Sequence, residues 1–256
     1  MKNRFTGRGN IIFYKMDVQL FIPCFIDQLY PKTAFNTIKV LENAGCTVHY
    51  NPEQTCCGQP AYNSGYWNEA AKLAIKFLND FSDDMPIVSP SGSCSGFVIY
   101  HYPKILKTNP ELLVKQEKIK SKFYELSDFL INILKIESLD VTCNHKVTFH
   151  DACSALREYG IAAEPRKLLS MVKGLELIEM PEHDTCCGFG GTFAVKNTAI
   201  SAAMAEKKVL NALKTGAEYI VSTESSCLMN VNGYIAKNKL PLKGVHLADI
   251  LSGTIH

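Results

Sequence analysis

Cysteine is the residue whose number and order suggest chemistry here, with 10 in a chain of 256 residues. The string Thr55-Cys56-Cys57-Gly58 recurs as Thr185-Cys186-Cys187-Gly188. Each adjacent pair has a cysteine upstream: 31 residues separate Cys24 from Cys56, and 32 separate Cys153 from Cys186. Each also has one downstream, in Ser93-Cys94 and Ser226-Cys227, after intervals of 36 and 39 residues. Eight cysteines therefore obey one order used twice. Leu126-Ser127-Asp128-Phe129-Leu130 and Leu247-Ala248-Asp249-Ile250-Leu251 match in the same way, so the duplication spans the chain. Cys46 and Cys143 lie outside the pattern and read as buried, hydrophobe-like thiols.

Four thiols per half can do three things. Disulfides fit poorly, because no export signal is apparent and adjacent cysteines pair only with backbone strain. Four thiolates complete a tetrahedral zinc site, but zinc ligands usually come in close pairs on short turns. An iron–sulfur cluster also takes four thiolates, and its larger core suits ligands from several loops. The spacing favours a cluster, with zinc as the alternative.

The elements that must position these thiols follow from local pattern. Val18 to Ile22, Thr47 to Tyr50 and Ile87-Val88 read as strands in the first half. Lys146 to Phe149, Leu175 to Ile178 and Tyr219 to Ser222 are their counterparts in the second. Between them run helical patterns, such as Trp67, Ala70, Ala71, Ala74, Phe77, Leu78 and Phe81. Gly45 and Gly216 sit where helix C-caps are expected, and a charged helical stretch from Lys104 to Lys122 completes the first half. Alternating strands and helices predict an α/β fold of two tandem pseudo-symmetric repeats, each a small parallel sheet with flanking helices. The expected division is an N-terminal extension over 1–15, a first repeat over 16–136 and a second over 146–256, with a linker near 136–146. All eight repeated cysteines then fall at strand carboxyl ends, where open parallel sheets bind ligands.

The duplicated order Cys…Cys-Cys-Gly…Cys resembles the cysteine-rich CCG domain family, over nearly all of the chain after about Met16. That family includes the B subunit of heterodisulfide reductase and iron–sulfur subunits of glycolate and glycerol-3-phosphate oxidation systems. Within it, His150-Asp151-Ala152-Cys153 and the stretch Cys186 to Phe193 are similar to stand-alone chains of two such domains. The resemblance implies a cytoplasmic iron–sulfur component of an L-lactate-oxidising system, carrying lactate to pyruvate with a ferredoxin-like iron–sulfur subunit and a third small subunit. Such a chain is a non-catalytic or co-catalytic part of an oxidoreductase complex. Its implied metal ligands are Cys24, Cys56, Cys57 and Cys94 in one half and Cys153, Cys186, Cys187 and Cys227 in the other, with one [4Fe–4S] cluster per repeat. The alternatives are a thiol/disulfide oxidoreductase of the heterodisulfide-reductase type and a zinc-stabilised scaffold.

One departure matters. The fuller family motif ends in Cys-x-x-Cys, and its first position holds Ser91 in one half and Glu224 in the other. Four thiolates per half remain. Either these oxygens approach a metal or they do not, and the sequence leaves both open. His150 either hydrogen-bonds near the cluster and tunes its potential or packs at a strand end, with Asp151 as a helix cap. Arg157, one turn after Cys153, either offsets cluster charge or is a solvated surface residue. Gly188-Phe189-Gly190-Gly191, and more weakly Gly58-Gln59-Pro60, read as backbone passing close to a cluster with its N–H groups toward sulfur.

Composition removes other classes. Lys+Arg 27 against Asp+Glu 25 gives a formal charge of +2, which excludes a strongly basic nucleic-acid surface. No apolar run approaches the ~18 residues of a membrane span. No group resembles a lactate-binding constellation or a flavin site.

Overall fold

The computed structural model describes residues 16–255; the N-terminal extension read over 1–15 lies outside them. The first half runs β1 (Met16–Leu20), α1 (Cys24–Leu29), α2 (Pro31–Asn43), β2 (Cys46–Tyr50), α3 (Gln59–Asn63) and α4 (Trp67–Asp80). It continues with β3 (Ile87–Ser89), α5 (Gly92–Tyr100), α6 (Tyr102–Ile105), α7 (Pro110–Lys120), β4 (Phe123–Glu125), α8 (Leu126–Asp128) and a π-helical turn, Phe129–Ile133. The second half opens with β5 (Lys146–Phe149), a π-helical turn (Ala155–Tyr159), α9 (Ala163–Ser170), β6 (Glu176–Leu177) and α10 (Thr192–Lys196). It closes with α11 (Thr198–Leu213), β7 (Tyr219–Ser222), α12 (Ser225–Lys237), β8 (Lys243–His246) and α13 (Leu247–Leu251).

The strands pair as two four-stranded parallel sheets, ordered β2-β1-β3-β4 and β6-β5-β7-β8. The α/β repeat architecture expected from the sequence is the one observed. Two strands escaped the reading, β4 and β8. Each has only three or four residues at a sheet edge, Phe123–Glu125 and Lys243–His246, too few for periodicity to register.

Strand order sets where ligands gather. The chain leaves β1 toward one side of the sheet and β3 toward the other, so the loops after them diverge and open a crevice. The same holds for β5 and β7. Cys24 opens α1 directly after β1, and Cys94 lies in the first turn of α5 after β3.

The two halves share their largest apolar core. Val18, Leu20 and Val88 from the first sheet join Val147, Phe149 and Val221 from the second, all nearly solvent-free. A smaller core lies within each half, one around Phe21, Phe77 and Phe97, the other around Val209, Ile220 and Val231. Across the junction α5 runs against the turn Ala155–Tyr159 so closely that a Cβ on Gly92 would fall 2.3 Å from Ala155 Cβ. No described helix is long and apolar enough to cross a membrane.

Candidate metal centre

The structure brings each set of four thiols together. In the first half Cys24 Sγ lies 3.7 Å from Cys56 Sγ, and Cys57 Sγ lies 3.4 Å from Cys94 Sγ. In the second half the Cys153 and Cys187 thiols donate to Cys186, and Cys187 also donates to Cys227. All ten cysteines are free thiols, so the disulfide reading has no support in the fold. Cys46 and Cys143 are buried in the shared core, as their place outside the pattern suggested.

Each cysteine pair is held by a backbone device. Gly58 and Gly188 follow the pair in the left-handed region, at φ of 93° and 85°. There the N–H of each glycine points back to the first sulfur of the pair, Cys56 or Cys186, at 3.4 Å. A Cβ on Gly188 would also fall 2.8 Å from Met204 Cβ. Phe189 N–H reaches Cys187 Sγ at 3.5 Å, in keeping with a backbone aimed at sulfur. The carbonyl of the second cysteine is fixed from outside. Tyr102 Oη donates to the Cys57 carbonyl at 2.8 Å, and Asn230 Nδ2 donates to that of Cys187 at 2.9 Å.

These contacts sort the thiols electrostatically. Cys56 is held far below the ordinary thiol range, chiefly because Cys24 and Cys57 donate to it, with Gly58 N–H adding to the effect. Cys186 is lowered in the same way by Cys153, Cys187 and Gly188 N–H. Donation to these thiolates raises Cys24 and Cys153, and burial adds to the rise. Cys227 is lowered to about 7, first by donation from Cys187 and further by His150, against the opposing effect of burial. A nucleus of thiolate inside a shell of thiols is what a thiophilic cationic group displaces protons from. The donor chemistry therefore fits a metal or metal–sulfur group in each half.

Both thiol sets open on one cavity between the halves, of about 490 Å³. Its walls include Cys24, Cys56, Cys57 and Cys94 from one side and Cys153 and Cys227 from the other, with Phe25 and Phe189 in edge-on contact at 5.3 Å. Among the described residues, Glu224 is the only carboxylate on its walls, and no Lys, Arg or His lines it.

Ser91 and Glu224, which replace the fifth cysteine of each motif, bind each other. Ser91 Oγ donates to Glu224 Oε2 at 2.9 Å, Ser93 N–H donates to the same oxygen at 3.0 Å, and Ser226 Oγ donates to Oε1 at 3.0 Å. Both residues are buried. The two positions thus form a polar clamp across the junction.

Around the second set lie groups whose roles the sequence left open. His150 is fully buried, with a ring nitrogen within 4.8 Å of the sulfurs of Cys187 and Cys227, and its Nε2 makes no hydrogen bond among the described residues. Asp151 is no helix cap. It takes a bidentate pair from Arg166 (2.9 and 2.8 Å) and a contact from His183 Nδ1 at 2.6 Å. Arg157 is exposed and donates to the Asp184 carbonyl in the loop before Cys186, at 3.2 Å. Lys208 was not anticipated. It is 1% exposed, and its Nζ donates to the carbonyls of Glu182 and His183 at 2.7 and 3.1 Å. Its signal was present, as a lysine where the repeat places Phe77.

Comparison with known proteins agrees with this geometry. The cysteine-rich domain family, CCG, matches residues 18–98 and 147–232. The chain is 42% identical to a protein named lactate utilization protein A from Halalkalibacterium halodurans, over 93% of this chain and 97% of that one. It is 40% identical to the protein of the same name from Bacillus subtilis, over 93% and 99%. Among solved structures, a hypothetical protein from Helicobacter pylori superimposes with a TM-score of 0.63 at 12% identity. The match covers 94% of this chain and 49% of that one, and it speaks to the fold alone. With two matched segments that each carry the Cys…Cys-Cys-Gly…Cys order, the chain belongs to the CCG cysteine-rich domain family.

Proposed function

We propose that this protein is an iron–sulfur electron-transfer component of a system that oxidises L-lactate or a related 2-hydroxy acid. The observation that carries the reading is the convergence of four thiols from separate strand-end loops in each half. Cys24, Cys56, Cys57 and Cys94 would hold one cluster, and Cys153, Cys186, Cys187 and Cys227 the other. A four-iron cluster in each half supplies one-electron storage and transfer. The chain's own part is to exclude water with Phe25 and Phe189, to direct backbone N–H groups at the sulfurs, and to fix the halves through Ser91 and Glu224.

The cavity supports an electron carrier over a hydroxy-acid dehydrogenase. Among the described residues, no Lys, Arg or His lines the cavity to pair with a substrate carboxylate, and Glu224 would repel one. Hydride removal from the hydroxy acid is then the work of a partner. The names of the relatives bring lactate into the reading. A ferredoxin-like iron–sulfur subunit and a third small subunit are the proposed partners. The Ser91–Glu224 pairing favours ordinary four-thiolate sites over the five-cysteine chemistry of heterodisulfide reduction.

The test is anaerobic iron, sulfide and zinc content with the absorption spectrum. About eight irons with matching sulfide per chain are expected. Cys187→Ser should remove about half of both. About two zincs without visible absorption would overturn the reading.

A further inference from the structure

The two thiol sites are superimposable by repeat but stand against different walls. The correspondence is read from backbone contacts. Phe21 N–H donates to the Val88 carbonyl at 2.9 Å, and His150 N–H donates to that of Val221 at 2.8 Å, so Phe21 and His150 are counterparts. A Cβ on Gly58 would touch Leu73 Cβ and the Ala70 carbonyl, and one on Gly188 would touch Met204 Cβ and the Ser201 carbonyl. Leu73 and Met204 therefore correspond, and one helical turn later so do Phe77 and Lys208.

In the first half Phe21 and Phe77 meet edge-on at 5.0 Å, inside a cluster completed by Phe81 and Phe123. In the second half an imidazole and an ammonium take their places, both nearly solvent-free. Among the described residues, Lys208 forms no ion pair with a carboxylate, and its Nζ donates only to backbone carbonyls. Burial pushes the Lys208 ammonium below its ordinary value, and the nearby Cys187, Asp184, Asp151 and Cys227 oppose that fall. His150 brings a ring nitrogen within 4.8 Å of the Cys187 and Cys227 sulfurs, with Nδ1 3.4 Å from the His183 carbonyl. Added negative charge on the thiolate-bound group is stabilised by nearby cationic and polar groups, most of all where the dielectric is low.

Resting on the iron–sulfur reading, we infer that the second half is the electron-accepting end of the molecule. A single reducing equivalent shared between the halves settles on the site of Cys153, Cys186, Cys187 and Cys227, because His150 and Lys208 replace Phe21 and Phe77 behind it. The exchange is one electron from the reduced first site to the oxidised second. No bond forms or breaks.

The experiment is a reductive titration with dithionite, a one-electron reductant, followed by electron paramagnetic resonance. Cys57→Ser leaves the second site alone and Cys187→Ser leaves the first. The second is expected to reduce at the more positive potential, by at least tenfold in the sharing equilibrium, about 59 mV for one electron. Lys208→Met and His150→Phe, each in the Cys57→Ser background, should shift that potential downward, and Lys208→Arg should preserve it. Should either variant fold poorly, the two midpoints of the unaltered protein, assigned through the cysteine variants, decide the matter. Equal potentials, or a more positive first site, overturn the inference while iron content stays intact. An iron-free protein overturns the reading beneath it, and the metal assay shows this before any titration.

Discussion

The first half backs its thiols with aromatic hydrocarbon, and the second sets His150 and Lys208 beside a smaller apolar cluster. Around Cys57 and Cys94 stand Phe21, Phe77, Phe97 and Tyr102 in one apolar cluster. Around Cys187 and Cys227 stand His150, Lys208 and, beyond them, Asp151 with Arg166 and His183. The backbone that presents the thiols is nevertheless the same, down to the glycine that turns its N–H onto the first sulfur. Duplication has kept what places sulfur and changed what surrounds it. Identical ligands therefore need not give identical sites.

The comparison breaks most sharply at Arg166. Its two terminal nitrogens hold Asp151, which is almost fully buried, and its Nε reaches Glu179 at 2.6 Å. The first-half counterpart of Asp151 is Ile22, whose N–H is satisfied by Gln54 Oε1 at 2.8 Å. Arg166→Ala leaves a buried carboxylate with His183 as its remaining side-chain partner, and should cost about 3 kcal/mol. Chemical denaturation reads that loss. Metal analysis should show the second site depleted and the first unchanged, because among the described residues no equivalent ion pair supports Cys56. Equal depletion of both sites would mean that the halves do not hold their thiols independently.

Which parts were legible in the sequence follows from the same contrast. The eight cysteines were found because their order repeats, and the central strands because buried parallel strands read as continuous apolar runs. The walls were harder to read. Lys208 lies on the buried face of α11 among alanines, where a lysine ordinarily marks the exposed face. Its burial makes sense only once the loop carbonyls of Glu182 and His183 are seen to converge on Nζ. The Ser91–Glu224 clamp joins residues 133 positions apart. Each was visible as a departure from the motif, but pairing across a junction is a property of how the halves dock. The shared cavity was hidden for the same reason.

The junction itself is uneven. Gly92 opens α5 where a Cβ would strike Ala155, and its counterpart at the start of α12 is Ser225, buried with an unpaired hydroxyl. Gly92→Ala should destabilise by about 1–3 kcal/mol through overpacking. Ser225→Ala removes a buried polar atom that makes no bond, and should be neutral or slightly stabilising. Thermal melts of the two variants measure the difference. Equal effects would show that the two junctions are equally close, contrary to the approach seen at Ala155.

The halves also oppose each other in their response to pH. Glu125 and His246 end β4 and β8 and cap the helices that follow. Burial raises the Glu125 carboxyl from 4.5 to about 8, although Ser127 and Asp128 N–H donate to it. A folded pKa above the unfolded one means that the native state holds the proton more tightly. The stabilisation is complete below about pH 4.5 and is lost as pH rises through about 8. Burial lowers His246 instead. Its Nδ1 accepts from Ala248 N–H and its Nε2 donates to the Pro90 carbonyl, so protonation sets two donors face to face. That stabilisation is present above the ordinary value of 6.5 and is lost as pH falls through the depressed one. Glu125→Gln keeps an acceptor for both N–H groups and should remove a falling slope of at most about 1.4 kcal/mol per pH unit. The variant's profile should then lack that falling limb, while the rise from acid pH to which His246 contributes remains. Coincident pH profiles for variant and parent would show that Glu125 titrates alike in the folded and unfolded chain.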